Sequence, residues 1–92
     1  MGIHLMQPRF PLGNTFATSG AMALNVDLTP YLRRHHCGDW GDELGAEDKQ
    51  ANEDALLDGT RLLSRFATPA GSIYIITEHD RSMTTIMLPE EY

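Results

Sequence analysis

Ninety-two residues carry 41% apolar side chains and a net charge of −6 at pH 7; that length makes one domain with a thin core, and that composition excludes wholesale disorder. One cysteine, Cys37, excludes an intramolecular disulfide and fits a reducing compartment. No apolar run supports a signal peptide or the ~20 residues of a membrane helix, so a cytoplasmic protein without membrane contact is expected.

Charge is unevenly placed. Between Asp39 and Asp58 stand eight acids against the single base Lys49, a local charge of −7, while six arginines and five acids elsewhere nearly balance. Such a field disfavours direct nucleic-acid binding and favours basic partners. It also reads as a solvated helix face that keeps the chain soluble.

In chain order, residues 1–12, with Pro8 and Pro11, form a flexible lead-in, and residues 13–92 form the domain. A short strand is expected near Thr15 to Thr18, broken by Gly20. Thr29-Pro30 reads as N-cap and first turn of a helix running to Cys37. Tyr31, Leu32 and His35 share one of its faces. Gly38 is the natural C-terminal cap, and Arg33, Arg34, His35 and His36 suit the negative end of the helix dipole. A glycine-bracketed loop, Gly38-Asp39-Trp40-Gly41-Asp42, leads to a second helix over Ala46 to Leu57. Acids crowd its N-terminus, Ala51, Ala55 and Leu56 form an apolar stripe with Leu44 packing before it, and Gly59 ends it.

Apolar and polar residues alternate over Arg61 to Thr68, Ile73 to Glu78 and Met83 to Leu88. Pro69-Ala70-Gly71-Ser72 and His79-Asp80-Arg81-Ser82 are turns of hairpin length. Three strands joined this way make an antiparallel meander. The expected architecture is therefore α+β, a three- to four-stranded antiparallel meander packed with two short helices. Tyr74 and Ile76 point to one face of the central strand and Ile73 and Ile75 to the other. The helices are expected to cover one face, and the N-terminal segment or a partner the other. Met83 and Met87 share one face of the last strand, where adaptable side chains serve a core or a partner.

Three constellations could carry chemistry. Trp40 stands between two glycines and two acids. Exposed, it would anchor a partner; buried, it would fill the gap between helices and sheet with its N–H bonded to a carbonyl, and a small core with one tryptophan favours burial. His35, His36, Cys37 and Asp39 are zinc-ligand types, with a further ligand to come only from afar, such as His4 or His79, but the paired spacings of zinc sites are missing and neither metal nor cofactor is expected. Glu78, His79, Asp80 and Arg81 cross a hairpin end. They could run acid–base or metal-dependent hydrolysis, or else cap their own turn and pair as Asp80 with Arg81. The candidate binding residues are Asp39, Trp40, Glu78, Asp80 and Arg81. Arg81 is expected to reach Asp39 or Asp80, bringing the two loops together.

The pattern His36-x-Gly38-Asp39-Trp40-Gly41, then Asn52 in an acidic helix, then Ile76-Thr77-Glu78-x-Asp80-Arg81-x-x-Thr84-Thr85-x-x-Leu88-Pro89-x-Glu91-Tyr92, resembles a family of small uncharacterised bacterial proteins labelled plasmid-related. The resemblance covers roughly Leu12 to Tyr92 and departs at a short insertion-like Gly45-Ala46. It implies a setting on plasmids or other mobile elements and brings no catalytic residue with it. Two functions follow as expectations. The first is a non-enzymatic interaction or accessory protein that binds a basic, nucleic-acid-handling protein and pairs with a second copy. The alternative is a small enzyme or metal-dependent nucleic-acid-processing factor using Glu78, His79, Asp80 and His36.

Overall fold

Alternation over the last third resolves into three strands, β2 (Leu62–Thr68), β3 (Gly71–Thr77) and β4 (Met83–Met87), paired antiparallel in succession. The structure, a computed structural model, describes residues 7–92. Thr68 pairs with Gly71 across a two-residue turn, where the Thr68 hydroxyl donates to the Gly71 carbonyl at 2.6 Å and accepts from Ala70 N–H at 3.1 Å. β1 (Asn14–Ala17) lies outside β4 and runs parallel to it, with Asn14 opposite Met83, giving the order β1-β4-β3-β2. The meander is as expected, and this fourth strand makes the sheet mixed. A parallel neighbour needs a long crossover, and here all three helices and two strands intervene.

The three α-helices of the described residues cover one face. Leu62, Ser64, Phe66, Ile73, Ile75, Thr77, Thr84 and Ile86 point into it and are buried. α1 (Ser19–Ala23) was not expected from sequence. Thr18 caps it by accepting Ala21 N–H at 3.1 Å, and Ala21 packs with Phe66, Ile73, Ile75 and Ile86. Gly20 does not break the chain. A Cβ there would stand 2.8 Å from the Glu91 carboxylate, which bonds the Thr18 hydroxyl at 2.7 Å.

α2 (Thr29–His36) begins one residue before the expected proline. Thr29 is its first residue and not its cap; its N–H is held by Asp27 Oδ1 at 3.0 Å, an acid two positions earlier doing the work assigned to the threonine. Gly38, at φ 83°, ends the helix as expected. α3 (Ala46–Asp58) closes at Gly59, φ 79°.

Two apolar clusters fill the space under the helices. One holds Phe10, Trp40, Leu44, Ala55 and Leu62, the other Ala21, Phe66, Ile73, Ile75 and Ile86. Phe10 thus ties part of the expected lead-in to the helix side of the sheet; residues 1–6 lie outside the described residues. On the opposite face Ile76 is buried, and Tyr92 reaches back to meet Tyr74 edge-on at 5.5 Å with Arg61 over its ring. The C-terminus covers part of this face, where the N-terminal segment or a partner was expected.

Both long edges of the sheet matter below. At β2 the outer edge is plugged. The Asn52 amide donates to Leu63 C=O at 2.6 Å and accepts Leu63 N–H at 3.0 Å, as another strand would. Arg65 N–H donates to Trp40 C=O at 3.0 Å. Gly41 sits so close that a Cβ would lie 1.9 Å from Arg65 O, at φ 96°, which reserves this position for glycine.

Candidate functional site

A line of polar side chains runs through the core between the two apolar clusters. His35 is fully buried; its Nδ1 lies 2.6 Å from Ser64 Oγ and its Nε2 2.9 Å from Thr77 Oγ1. Thr77 Oγ1 lies 2.7 Å from Thr84 Oγ1, which donates to Leu12 C=O at 2.7 Å. Proton counting fixes the direction. A carbonyl only accepts, so Thr84 spends its one proton on Leu12, Thr77 must donate to Thr84, and His35 must donate from Nε2 to Thr77. His35 therefore carries a proton on Nε2, and in the neutral form that its burial favours Nδ1 accepts from Ser64. Burial, followed by repulsion from His36 and Arg81, pushes it from the ordinary 6.5 to about 3. A short Ser–His contact is the geometry of an activated nucleophile, but Ser64 is itself completely buried, so no substrate reaches its oxygen.

Trp40 is buried against this imidazole, edge-on at 5.8 Å, and stacks on Phe10 at 6.1 Å. Its Nε1–H donates to Glu53 Oε2 at 2.9 Å, a carboxylate where a carbonyl was expected. Arg9 grips the same carboxylate with two bonds of 3.0 and 2.9 Å. The Arg9 hydrogen bond and then the Trp40 indole hold Glu53 below the usual carboxylate range. Asp39 takes the Arg34 Nε–H at 2.7 Å and caps Gly41 N–H at 3.2 Å; the Arg34 bond keeps its carboxyl low. The Asp39 carboxylate and the Trp40 indole are therefore both used inside the fold.

The hairpin end is likewise occupied with itself. Asp80 accepts Ser82 N–H at 3.0 Å and Ser82 Oγ–H at 2.6 Å, the self-capping of a tight turn, and those bonds lower its pKa. Arg81 reaches neither Asp39 nor Asp80. Its guanidinium donates to three carbonyls: Thr60 at 2.7 Å, Ala55 at 3.0 Å and Glu78 at 3.1 Å. The residue sits at φ 60°, and its side chain reaches the last turn of α3, where Ala55 C=O also accepts Gly59 N–H, the helix end a cation favours. The two motifs still come near each other, at one ring. Arg81 lies 6.0 Å from the Phe10 centroid, and Trp40 stacks on Phe10. Arg81→Ala keeps the backbone cost and loses three bonds, so it should destabilise the protein by about 1–2 kcal/mol in urea titration. A value near zero would leave the motif arginine without a structural role.

His36 stands beside Phe10 at 5.8 Å, Cys37 is half-buried at the end of α2, and His79 is exposed on the hairpin tip. Among the described residues no three His, Cys, Asp or Glu side chains converge as a metal would need, and no pocket opens. Ser64, Thr77, Thr84 and Asn52 are the residues whose roles sequence reasoning missed. The first three were detectable only as hydroxyls on the apolar face of alternating strands.

No family model, curated protein or solved structure matches the chain.

Proposed function

We propose that this chain is a small acidic, non-enzymatic interaction protein of the cytoplasm, an accessory of plasmids or other mobile elements, whose α3 binds a basic, nucleic-acid-handling protein. The observation that carries this is a division of labour among the acids. Asp39, Glu53 and Glu43 are paired with Arg34, Arg9 and, at 3.6 Å, Arg65. Asp42, Glu47, Asp48, Asp54 and Asp58 are exposed and form no ion pair among the described residues. α3 faces the sheet through Asn52, Ala55 and Leu56, so Glu47, Asp54 and Asp58 look outward. Leu57 stands among them 91% exposed, an apolar contact within a ring of negative charge. Such a surface attracts a basic groove by long-range steering and offers it something to bury. The single cysteine, Cys37, which has no intramolecular partner, supports the cytoplasmic setting, and the resemblance of the two sequence motifs supports the mobile-element setting. Self-association belongs to the same reading, since a thin core with a half-covered sheet face gains from a second copy.

Capture from the native host tests it. Wild-type protein should retain basic nucleic-acid-handling proteins at ~0.15 M salt and release them near ~1 M, where screening shortens the reach of charge to about 3 Å. Glu47→Lys/Asp54→Lys/Asp58→Lys should fold normally and retain none of them. Equal capture by both proteins would remove α3 as the binding face.

A further inference from the structure

The two edges of the sheet are treated differently. β2 is closed by the Asn52 amide and the Trp40–Gly41 backbone. β1 has no such plug among the described residues. Asn14 N–H and Thr18 N–H donate to Ser82 and Ile86, so the even positions face β4. By the alternation of a strand, the N–H and C=O groups of Thr15 and Ala17 point away from the sheet. An open edge templates a further strand, and proteins normally blunt it with a lysine, a proline, a bulge or a cover. β1, Asn-Thr-Phe-Ala, has no proline, charge or bulge and is protected only by its brevity. Phe16 stands beside that edge, 52% exposed on the face away from the helices.

Charge decides what would fit there. From Phe10 to Val26 the chain has no charged residue at all, seventeen positions in a protein of net −6. A basic partner has no reason to choose this neutral strip over α3. A second copy is repelled elsewhere by its own kind of charge; this strip contributes none, and the Glu91 carboxylate that reaches it is hydrogen-bonded by Thr18.

We infer that two copies of this chain pair antiparallel through β1, making one continuous eight-stranded sheet. This rests on the self-association in the reading above and is independent of the basic partner. The register follows from the alternation. Groups that point outward belong to Thr15 and Ala17, so Thr15 pairs with Ala17 of the second copy and the reverse, giving four backbone hydrogen bonds. The twofold axis then passes beside Phe16, whose own backbone groups are spent on β4. Phe16 faces its symmetry mate as a close, non-hydrogen-bonded pair, and the two rings cover each other on the open face. Asn14 and Thr18, which flank the seam, are uncharged, as is α1. A seam this short lies at the small end of interface sizes, so the dimer dissociates in the micromolar range.

Sedimentation of the full chain from ~1 to ~200 µM tests this. Wild-type protein should shift from the 10.3 kDa monomer to a dimer as concentration rises. Thr15→Pro removes one outward N–H that the monomer does not use, and Phe16→Lys puts like charges at the axis. Both should stay monomeric throughout with a wild-type circular dichroism spectrum, while Glu47→Lys on α3 should dimerise as wild type does. If Thr15→Pro fails to fold, Phe16→Lys decides alone. A wild-type monomer at every concentration would overturn both the seam and self-association. A dimer untouched by the variants would overturn the seam only. Association seen only after removal of residues 1–6 would overturn it too, assigning the edge to the chain's own start.

Discussion

Trp40→Ala should lower the unfolding free energy by about 3–5 kcal/mol, the cost of emptying a large buried aromatic site. Trp40 is only 4% exposed and occupies the space bounded by Phe10, Leu44, Ala55 and Leu62. No neighbour is free to collapse into the gap. Phe10 is held by the chain on either side, through Arg9 to Glu53 and through Leu12 C=O to Thr84. The loss is a large part of the ~5–15 kcal/mol that holds a small domain together, so the variant should melt lower by roughly 15–30 °C. Trp40→Phe separates packing from polarity. It keeps a ring in the site and deletes the bond to Glu53, whose carboxylate retains Arg9, and it should cost about 1–2 kcal/mol. If Trp40→Ala melts like wild type, the ring is not part of the core and the motif exists for something outside the molecule.

Acid should unfold the protein earlier than its carboxylates alone would. His35 binds its proton at about 3 when folded and near 6.5 when free. Between those values the unfolded state holds more protons than the folded one, so stability rises with pH across the window. The contribution is complete above pH 6.5 and is lost as pH falls toward 3, at up to 1.36 kcal/mol per pH unit. Between pH 7 and pH 5 the protein should therefore lose about 2 kcal/mol. The depressed carboxyls Asp27, Asp39, Glu53, Asp80 and Glu91 act in the same direction but only below their ordinary range, at still lower pH. The charged neighbours of the imidazole are His36 and Arg81, and both oppose its protonation. Urea titrations at pH 7 and pH 5, on wild type and on His35→Gln, isolate the effect. The glutamine keeps a donor and an acceptor without titrating, so the drop should nearly vanish. Equal slopes in the two proteins would mean that His35 is not buried neutral.

What could be read from the sequence was what repeats locally. β2, β3 and β4 follow from period-two alternation and two turn signatures, and α3 from its acidic start and Gly59. Trp40 was legible as core because a small domain has few other places for an indole. The direction and neighbour of β1 were not, since its partner lies 69 positions away and alternation is silent about pairing. α1 was hidden because Gly20 reads as a breaker until Glu91 is seen filling the space above it. The His35 line was hidden for a related reason. Ser64, Thr77 and Thr84 interrupt an apolar face, and only the fold reveals that each interruption meets another. Arg81 was misread because its partners are backbone carbonyls, which every sequence has and none displays.

Position Asn14 opposite Met83 also sets the order in which the molecule can be assembled. The β2-β3-β4 meander is joined by short turns, and such hairpins close in about 1–10 µs. β1 must instead wait for a strand 69 positions farther along the chain, and loop entropy delays such non-local contacts. Glu91, next to the last residue, bonds Thr18 just beyond β1 and completes the closure. β1 is therefore made before β4 and placed after it, and until it docks a folding chain shows the outer edge of β4 where the finished protein shows β1.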